Sequence, residues 1–254
     1  MNINFRQAPE PRWLAWLRPF LDLLLPPACL ACQQPLPSSR PPLFCPECAA
    51  TIRLVHSPLC SCCGTPFPKS APGDHCCGDC LTKKRFVSRV RSVALYQEPL
   101  RQAIHACKYK GEGAGLASFR LLKEMNPHTA GDWPRADCIV PVPLHVRRLQ
   151  ERGFNQAMLL ARALFPRDKR IDPRLLSRPV WTEPQTSFDG EARRKNLKNA
   201  FSAPRPELVR GRSILLVDDV YTTGTTINEC ARCLKKAGAR EVLALTLARA
   251  TGGG

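Results

Sequence analysis

After residue 85, hydrophobic and polar positions follow two different periods in turn. Asp137–Pro143, Ser213–Val217 and Glu241–Ala248 are short runs of mostly apolar residues, which is typical of buried strands. Phe154–Phe165 and Thr226–Ala237 repeat apolar residues every three or four positions, which predicts amphipathic helices. The remaining predicted elements are a strand or hairpin at Val87–Tyr96 and a helix at Leu100–Cys107. Because strands alternate with helices, we predict an α/β fold with a largely parallel sheet.

The first 85 residues lack this alternation. Trp13–Leu25 places apolar residues at helical spacing, so we predict a packing helix within residues 1–25, with a membrane-surface or partner-binding helix as the alternative. Two charged residues and a proline interrupt the run, so it predicts neither a secretory signal nor a transmembrane segment. Residues 26–85 hold ten of the 14 cysteines, and residues 86–254 carry the alternating pattern. We therefore expect three regions with these boundaries.

Cysteine spacing predicts two metal sites. Eight cysteines form four C-x-x-C pairs: Cys29 with Cys32, Cys45 with Cys48, Cys60 with Cys63, and Cys77 with Cys80. Two thiols at this spacing grip one tetrahedral zinc ion, and two such pairs complete its coordination. The first two pairs are separated by 12 residues and the last two by 13, so we predict two structural zinc ribbons in series. Sequential pairing is favoured over interleaved pairing, but spacing alone leaves both open.

The other cysteines are interpreted as lying outside the zinc sites. Cys62, His75 and Cys76 adjoin the proposed ligands and can compete with them, but we expect all three to lie outside the ligand shells. Cys230 and Cys233 repeat the C-x-x-C spacing on a predicted helix with no second pair nearby in sequence, so we interpret them as packing residues. Clustered cysteines without a secretory signal favour a reducing compartment, and we expect a cytoplasmic protein.

The segment Ile214–Thr226 carries the sharpest functional signal. A buried strand ends in two acidic residues, a loop of threonines around one glycine follows, and then a helix begins. Backbone amides, hydroxyl groups and a helix N-terminus favour phosphate, whereas paired carboxylates accept sugar hydroxyls beside Mg²⁺. We predict a sugar-phosphate site made of Asp218, Asp219, Thr222, Thr223, Gly224, Thr225 and Thr226. A strand-end acid pair beside a capped helix is the alternative.

The charge of the chain indicates an anionic partner. The 254 residues include 38 lysines and arginines against 21 acidic residues, a net charge of +17. Nine basic and five acidic residues lie in residues 1–85, which gives +4 there and leaves +13 for residues 86–254. Such an excess is typical of proteins that meet nucleic acid, phosphorylated metabolites or acidic membrane surfaces. A hydrophobic content of 44% excludes wholesale disorder.

Several segments resemble known families. The segment from Asp218 to Thr226 resembles the signature of type I phosphoribosyltransferases, which bind phosphoribosyl pyrophosphate with Mg²⁺. The segments similar to the ComF family, whose proteobacterial members are called GntX, are Ile104–Gly111, Val140–Leu144, Arg152–Gln156, Arg193–Phe201 and the cysteine module. The resemblance implies a type I phosphoribosyltransferase-like domain preceded by a small double zinc ribbon. It also implies an association with competence and the use of external DNA.

The resemblance implies roles for the basic clusters. Arg147, Arg148 and Arg152 follow a strand as the family's pyrophosphate loop does, where they would donate to pyrophosphate oxygens; a solvated arginine-rich loop is the alternative. Arg193 and Lys195 lie in a run that resembles the mobile loop closing over the substrate. There they would act with the acid pair in catalysis, and a solvated helix face is the alternative.

Three functions agree with these features. The first is a phosphoribosyltransferase whose acceptor the sequence does not name. The second is a non-catalytic sensor of a sugar phosphate or nucleotide. The third, compatible with either, is a competence factor that binds single-stranded DNA and works with DNA-uptake proteins. Aromatic residues make up only 7% of the chain, which weakens the case for extensive base stacking.

Overall fold

A four-stranded parallel sheet forms the centre of the fold in the computed structural model. The model describes residues 27–37, 43–110, 113–129, 133–182, 197 and 199–251. The strands are β1 (Arg89–Leu95), β2 (Cys138–Pro141), β3 (Ser213–Tyr221) and β4 (Glu241–Arg249), in the spatial order β1-β4-β3-β2. Every neighbouring pair is parallel, which confirms the predicted α/β class. The helix predicted at Trp13–Leu25 lies outside the described residues.

Helices of one to three turns surround the sheet. The α-helices are α1 (Pro46–Thr51), α2 (Gly78–Thr82), α3 (Leu100–Lys110), α4 (Gly113–Met125), α5 (Val146–Arg152), α6 (Gln156–Leu164) and α7 (Thr225–Lys236). Short 3-10 helices occur at Pro127–Thr129, Trp133–Arg135, Pro173–Leu175 and Pro206–Leu208. The apolar stripe predicted for α6 is buried, and so is the stripe of α7.

Alternating residues of β3 serve two hydrophobic cores. Leu215 and Val217 belong to the core on the face covered by α4 and α6. Leu216 belongs to the core on the opposite face, which α7 covers, and Leu234 of that helix lies in the same cluster. All four side chains are fully buried. Truncating one of them, as in Leu216→Ala, would cost about 2–5 kcal/mol because the site collapses only in part.

The third strand is longer than its sequence predicts. Its apolar run ends at Val217, but β3 continues through both acidic residues to Tyr221. Pairing with β4 supports the extension, since Asp218 aligns with Thr246 and Tyr221 with Arg249. The acid pair therefore lies within the last four residues of β3, and the threonine loop begins after Tyr221.

The cysteine-rich region packs directly on the α/β unit. Leu30 and Phe44, which adjoin the first two C-x-x-C pairs, share a core with Leu116 and Phe119 of α4. The second group meets the sheet at Gly64, where an added Cβ would lie 2.7 Å from the carbonyl oxygen of Val90. Glycine at this position, with φ of +75°, allows that close approach.

Candidate functional site

Eight cysteines form two groups with the geometry of tetrahedral metal sites. The groups are Cys29, Cys32, Cys45 and Cys48, and Cys60, Cys63, Cys77 and Cys80; within each, the sulfur atoms lie within 4.8 Å of one another. The Sγ–Sγ distances are 3.7 Å for Cys32 and Cys45, 3.7 Å for Cys60 and Cys80, and 3.8 Å for Cys63 and Cys77. Four Zn–S bonds of about 2.3 Å space their sulfurs about 3.8 Å apart. Both groups therefore fit Zn²⁺, and the pairing is sequential.

Backbone amides prepare one thiol of the second group for metal. Cys60 Sγ accepts from the amide of Cys63 at 3.4 Å and from that of Cys77 at 3.3 Å. Burial opposes ionisation, but these hydrogen bonds outweigh it and lower the pKa of Cys60 to about 6. In the first group, the amide of Cys45 similarly helps to lower the pKa of Cys29 to about 7 against the effect of burial. In each group these amides thus favour the thiolate form of one cysteine, which is the form that binds zinc.

The three competing side chains lie outside both groups. His75 stacks on Phe67 with ring centroids 4.1 Å apart, and its Nδ1 lies 2.9 Å from the carbonyl oxygen of Gly73. Cys62 and Cys76 lie next to each other rather than in a ligand group. Cys230 is fully buried in α7, and burial raises the pKa of its thiol, as expected for a packing residue.

A pocket of about 220 Å³ lies at the carboxyl edge of the sheet. Its lining residues are Tyr96, Asp218, Asp219, Val220, Tyr221, Thr222, Gly224, Thr225, Thr226 and Ile227. The predicted loop residues line it except Thr223, whose hydroxyl instead lies 2.9 Å from that of Thr225. Tyr96 was not predicted; it follows β1, and its hydroxyl lies 3.0 Å from His105 Nε2. The carboxyl ends of parallel strands are where α/β proteins bind ligands.

The loop presents the N-terminus of α7 to this pocket. Gly224 is the N-cap residue with φ of +76°, and it has no side chain to bond the first amides of the helix. Those amides, the hydroxyls of Thr225 and Thr226, and the helix dipole favour an anion at this end. Asp218 and Asp219 lie on the strand side of the same pocket, so anion-binding and hydroxyl-accepting groups flank one space.

A buried tyrosine connects the loop to the second cysteine group. Tyr221 is 2% exposed, and an added Cβ on Gly224 would lie 2.1 Å from its hydroxyl oxygen. Arg85 donates to that hydroxyl at 2.8 Å, and the guanidinium carbon of Arg249 lies 4.6 Å from the ring centroid. Arg249 also donates to the carbonyl oxygen of Cys63 at 2.6 Å. Burial raises the pKa of the Tyr221 hydroxyl, although the two arginines oppose that shift.

Sequence reasoning missed this connection. Cys63 and Arg249 are 186 residues apart, so no local pattern joins them. One signal was available in the sequence: Arg249 stands at the end of the predicted buried strand, β4. A buried arginine requires hydrogen-bond partners. The Nη2 atom of Arg249 lies 3.6 Å from Cys63 Sγ and also bonds to the hydroxyl of Thr65.

The predicted pyrophosphate arginines lie on a helix. Residues 146–152 form α5, with His145 capping its start through Nδ1 and Gly153 ending it with φ of +76°. The guanidinium carbons of Arg147 and Arg148 lie 5.6 and 5.8 Å from the ring centroid of Trp181. Strand β2 precedes this segment beside β3, so α5 begins at the same sheet edge as the pocket.

Two further predicted residues belong to a segment that is not described. Arg193 and Lys195 lie in the segment 183–196, outside the described residues. Within the part of the chain that is described, no helix is long and apolar enough to cross a membrane.

The sheet, the threonine loop and the paired cysteine groups define a phosphoribosyltransferase-type domain joined to a double zinc ribbon. A family model described as "Double zinc ribbon domain" matches residues 20–81, and one described as "Phosphoribosyl transferase domain" matches residues 151–253. "DNA utilization protein YhgH" of Salmonella typhi is 36% identical over 231 residues, covering 89% of this chain and 99% of the relative. The chain therefore belongs to the same family as this relative, the ComF family.

Two more relatives carry competence names. "Competence protein F" of Haemophilus influenzae is 35% identical over 68% of this chain and 78% of its own length. "Competence protein ComFC" of Bacillus subtilis is 29% identical over 63% of each chain. The solved structure of the allosteric regulatory enzyme of purine biosynthesis is 21% identical and covers 52% of this chain and 26% of that chain. Its TM-score of 0.32 is too low to support a comparison.

Proposed function

We propose that this protein binds phosphoribosyl pyrophosphate together with Mg²⁺ and acts in DNA utilisation. The observation that supports this most is the pocket in which the uncapped N-terminus of α7 faces two carboxylates across a threonine loop. A phosphate group fits the amide end, and a sugar with vicinal hydroxyls fits the acid end. The names of the relatives supply the cellular context, because they refer to DNA utilisation and competence.

Each side of the pocket has a distinct task. The amides of Thr225 and Thr226 and the threonine hydroxyls would hold the terminal phosphate of the sugar. Asp218 and Asp219 would accept hydrogen bonds from the ribose hydroxyls. Mg²⁺ bound with the pyrophosphate would neutralise part of its charge, and carboxylate oxygens are ligands that suit it. This division keeps the carboxylates away from the terminal phosphate, which they would repel.

Basic residues would complete the site. The three arginines of α5 would donate to the pyrophosphate oxygens, since the helix starts beside the end of β2. They are Arg147, Arg148 and Arg152. Arg193 and Lys195 would cover the bound ligand and exclude water. If transfer occurs, these groups would stabilise the departing pyrophosphate while an acceptor attacks the opposite face of the sugar carbon.

Removing one carboxylate at a time tests the binding site. Asp218→Asn and Asp219→Asn should each weaken binding of phosphoribosyl pyrophosphate with Mg²⁺ by about tenfold or more, since hydrogen bonds to charged groups contribute about 1.5–3 kcal/mol. Glu241→Gln is the matched control, because it also removes one charge but lies at the start of β4, on the opposite sheet edge. Calorimetry reports the affinities. Equal binding by the Asp218, Asp219 and Glu241 variants would refute the assignment.

A turnover assay distinguishes a transferase from a non-catalytic sensor. A screen of purine, pyrimidine and nucleoside acceptors that reads pyrophosphate release would identify a transferase. Ligand binding without release for any acceptor would favour the sensor.

A second candidate function is contact with single-stranded DNA at α5. The ring centroid of Trp181 lies 5.6 and 5.8 Å from the guanidinium carbons of Arg147 and Arg148, and Val146 and Val180 in the adjoining segments are 56% and 47% exposed. Arginines that neutralise phosphates and a ring that stacks on a base are the means by which proteins bind single strands. Trp181→Leu should weaken binding of a short oligonucleotide, and affinity should fall steeply with salt. Salt-insensitive binding that is unchanged in the variant would exclude this surface.

A further inference from the structure

Cys62 and Cys76 face each other beside the second zinc site. Their sulfur atoms are 2.8 Å apart, and both side chains are half-buried. Each precedes a ligand of the site, since Cys63 and Cys77 follow them in the chain. A parallel bridge between Cys60 and His75 holds the two ligand turns side by side.

The spacing of these two sulfurs differs from that of the zinc ligands. Three ligand pairs, Cys32 with Cys45, Cys60 with Cys80 and Cys63 with Cys77, have sulfurs 3.7–3.8 Å apart, the spacing that tetrahedral Zn–S bonds of about 2.3 Å require. A pair at 2.8 Å is too close to span two positions on one zinc ion, and it lies nearer to the length of a sulfur–sulfur bond, about 2.05 Å. The geometry separates eight metal-binding thiols from one pair placed for bonding to each other.

We propose that Cys62 and Cys76 form a reversible disulfide while the adjacent zinc site keeps all four of its ligands. The oxidant is a low-molecular-weight disulfide such as glutathione disulfide. One thiolate attacks a sulfur of the oxidant and releases one glutathione; the second thiolate then attacks the mixed disulfide and releases the other. The two electrons and the two thiol protons end on the two glutathione molecules. The hydroxyl of Ser61 lies 3.3 Å from Cys76 Sγ, within hydrogen-bond reach of that sulfur.

The disulfide would tie the two ligand turns together independently of the metal. It would close the loop from residue 62 to residue 76, which carries Thr65 and the connection between the two ligand turns. Closing a loop restricts the unfolded ribbon, so the oxidised protein should lose zinc to a chelator at least about tenfold more slowly. Oxidation of Cys62 and Cys76 would thus protect the second zinc site, whereas oxidation of the zinc ligands would destroy it.

Thiol mapping on the full-length, zinc-loaded chain tests the proposal. The protein is equilibrated with buffers of increasing glutathione disulfide, its remaining thiols are alkylated, and peptides are identified by mass spectrometry. We expect one intramolecular disulfide joining Cys62 to Cys76 and an unchanged zinc content. The proposal is wrong if both residues stay alkylatable in the most oxidising buffer, or if ligand cysteines oxidise first with loss of zinc.

Two variants sharpen the result. Cys76→Ser should trap Cys62 as a mixed disulfide with glutathione and abolish the slower zinc loss after oxidation. Cys233→Ser is the control, because Cys233 is also half-buried but lies on α7, away from the ribbon. Slowed zinc loss that persists in Cys76→Ser would show that another pair is responsible. The wild-type mapping decides the matter even if the serine variant folds poorly.

Discussion

Replacing Gly224 by alanine tests whether Tyr221 supports the threonine loop. The new Cβ would lie 2.1 Å from the tyrosine oxygen and 2.4 Å from Cζ, so the ring must move. The ring is buried between Arg85 and Arg249, and moving it breaks the 2.8 Å hydrogen bond from Arg85. Two costs therefore add: about 1–2 kcal/mol for alanine in the left-handed region, and about 1.5–3 kcal/mol for a hydrogen bond with a charged donor.

Gly211→Ala isolates the second cost. Gly211 has φ of +74°, against +76° for Gly224, and an added Cβ there meets nothing within 4 Å. Both variants carry the same backbone strain, so only Gly224→Ala should lose the further 1.5–3 kcal/mol, roughly. Urea unfolding at a fixed zinc concentration gives both free energies. Equal losses in the two variants would refute the placement of Tyr221 beneath the loop.

The remaining predictions concern metal and charge. Metal analysis should find two zinc ions per chain; one or none would overturn the double ribbon. Arg249→Leu should speed zinc loss to a chelator about tenfold or more, as removal of groups that bond to metal ligands does, whereas Arg240→Leu, exposed at 66%, should not. Asp168→Asn should cost up to about 1 kcal/mol at neutral pH, because the Arg170 side chain, 2.7 Å away, lowers the pKa of that carboxyl. Since the folded pKa is the lower one, this difference should vanish as pH falls through it, and a difference that persists in acid would exclude the ion pair.

Local signals were enough to predict much of the fold. The apolar runs and helical stripes of residues 137–165 and 213–248 identified β2, β3, β4, α6 and α7. The regular spacing of C-x-x-C pairs predicted both cysteine groups, because short connections bring consecutive pairs together. The ends of α5 were also predictable from sequence, since His145 and Gly153 flank a run of good helix formers. That helix was nevertheless expected to be a loop.

Features that depend on distant residues were not predictable. β3 extends past its apolar run because it continues to pair with β4, where Asp218 aligns with Thr246 and Val220 with Ala248. The position of Tyr96 in the pocket depends on the sheet order, which places β1 next to β4 rather than next to β2. The bond from Arg249 to the carbonyl oxygen of Cys63 spans 186 residues, so no local pattern announces it.

The central claim is that the loop after β3 binds a phosphorylated sugar. The most direct measurement is calorimetric titration of the zinc-loaded, full-length protein with phosphoribosyl pyrophosphate in the presence of Mg²⁺. We expect saturable binding of one molecule per chain that is lost in the double variant Asp218→Asn, Asp219→Asn while the zinc content stays the same. Absence of binding by the wild-type protein, or equal binding by the double variant, would contradict it.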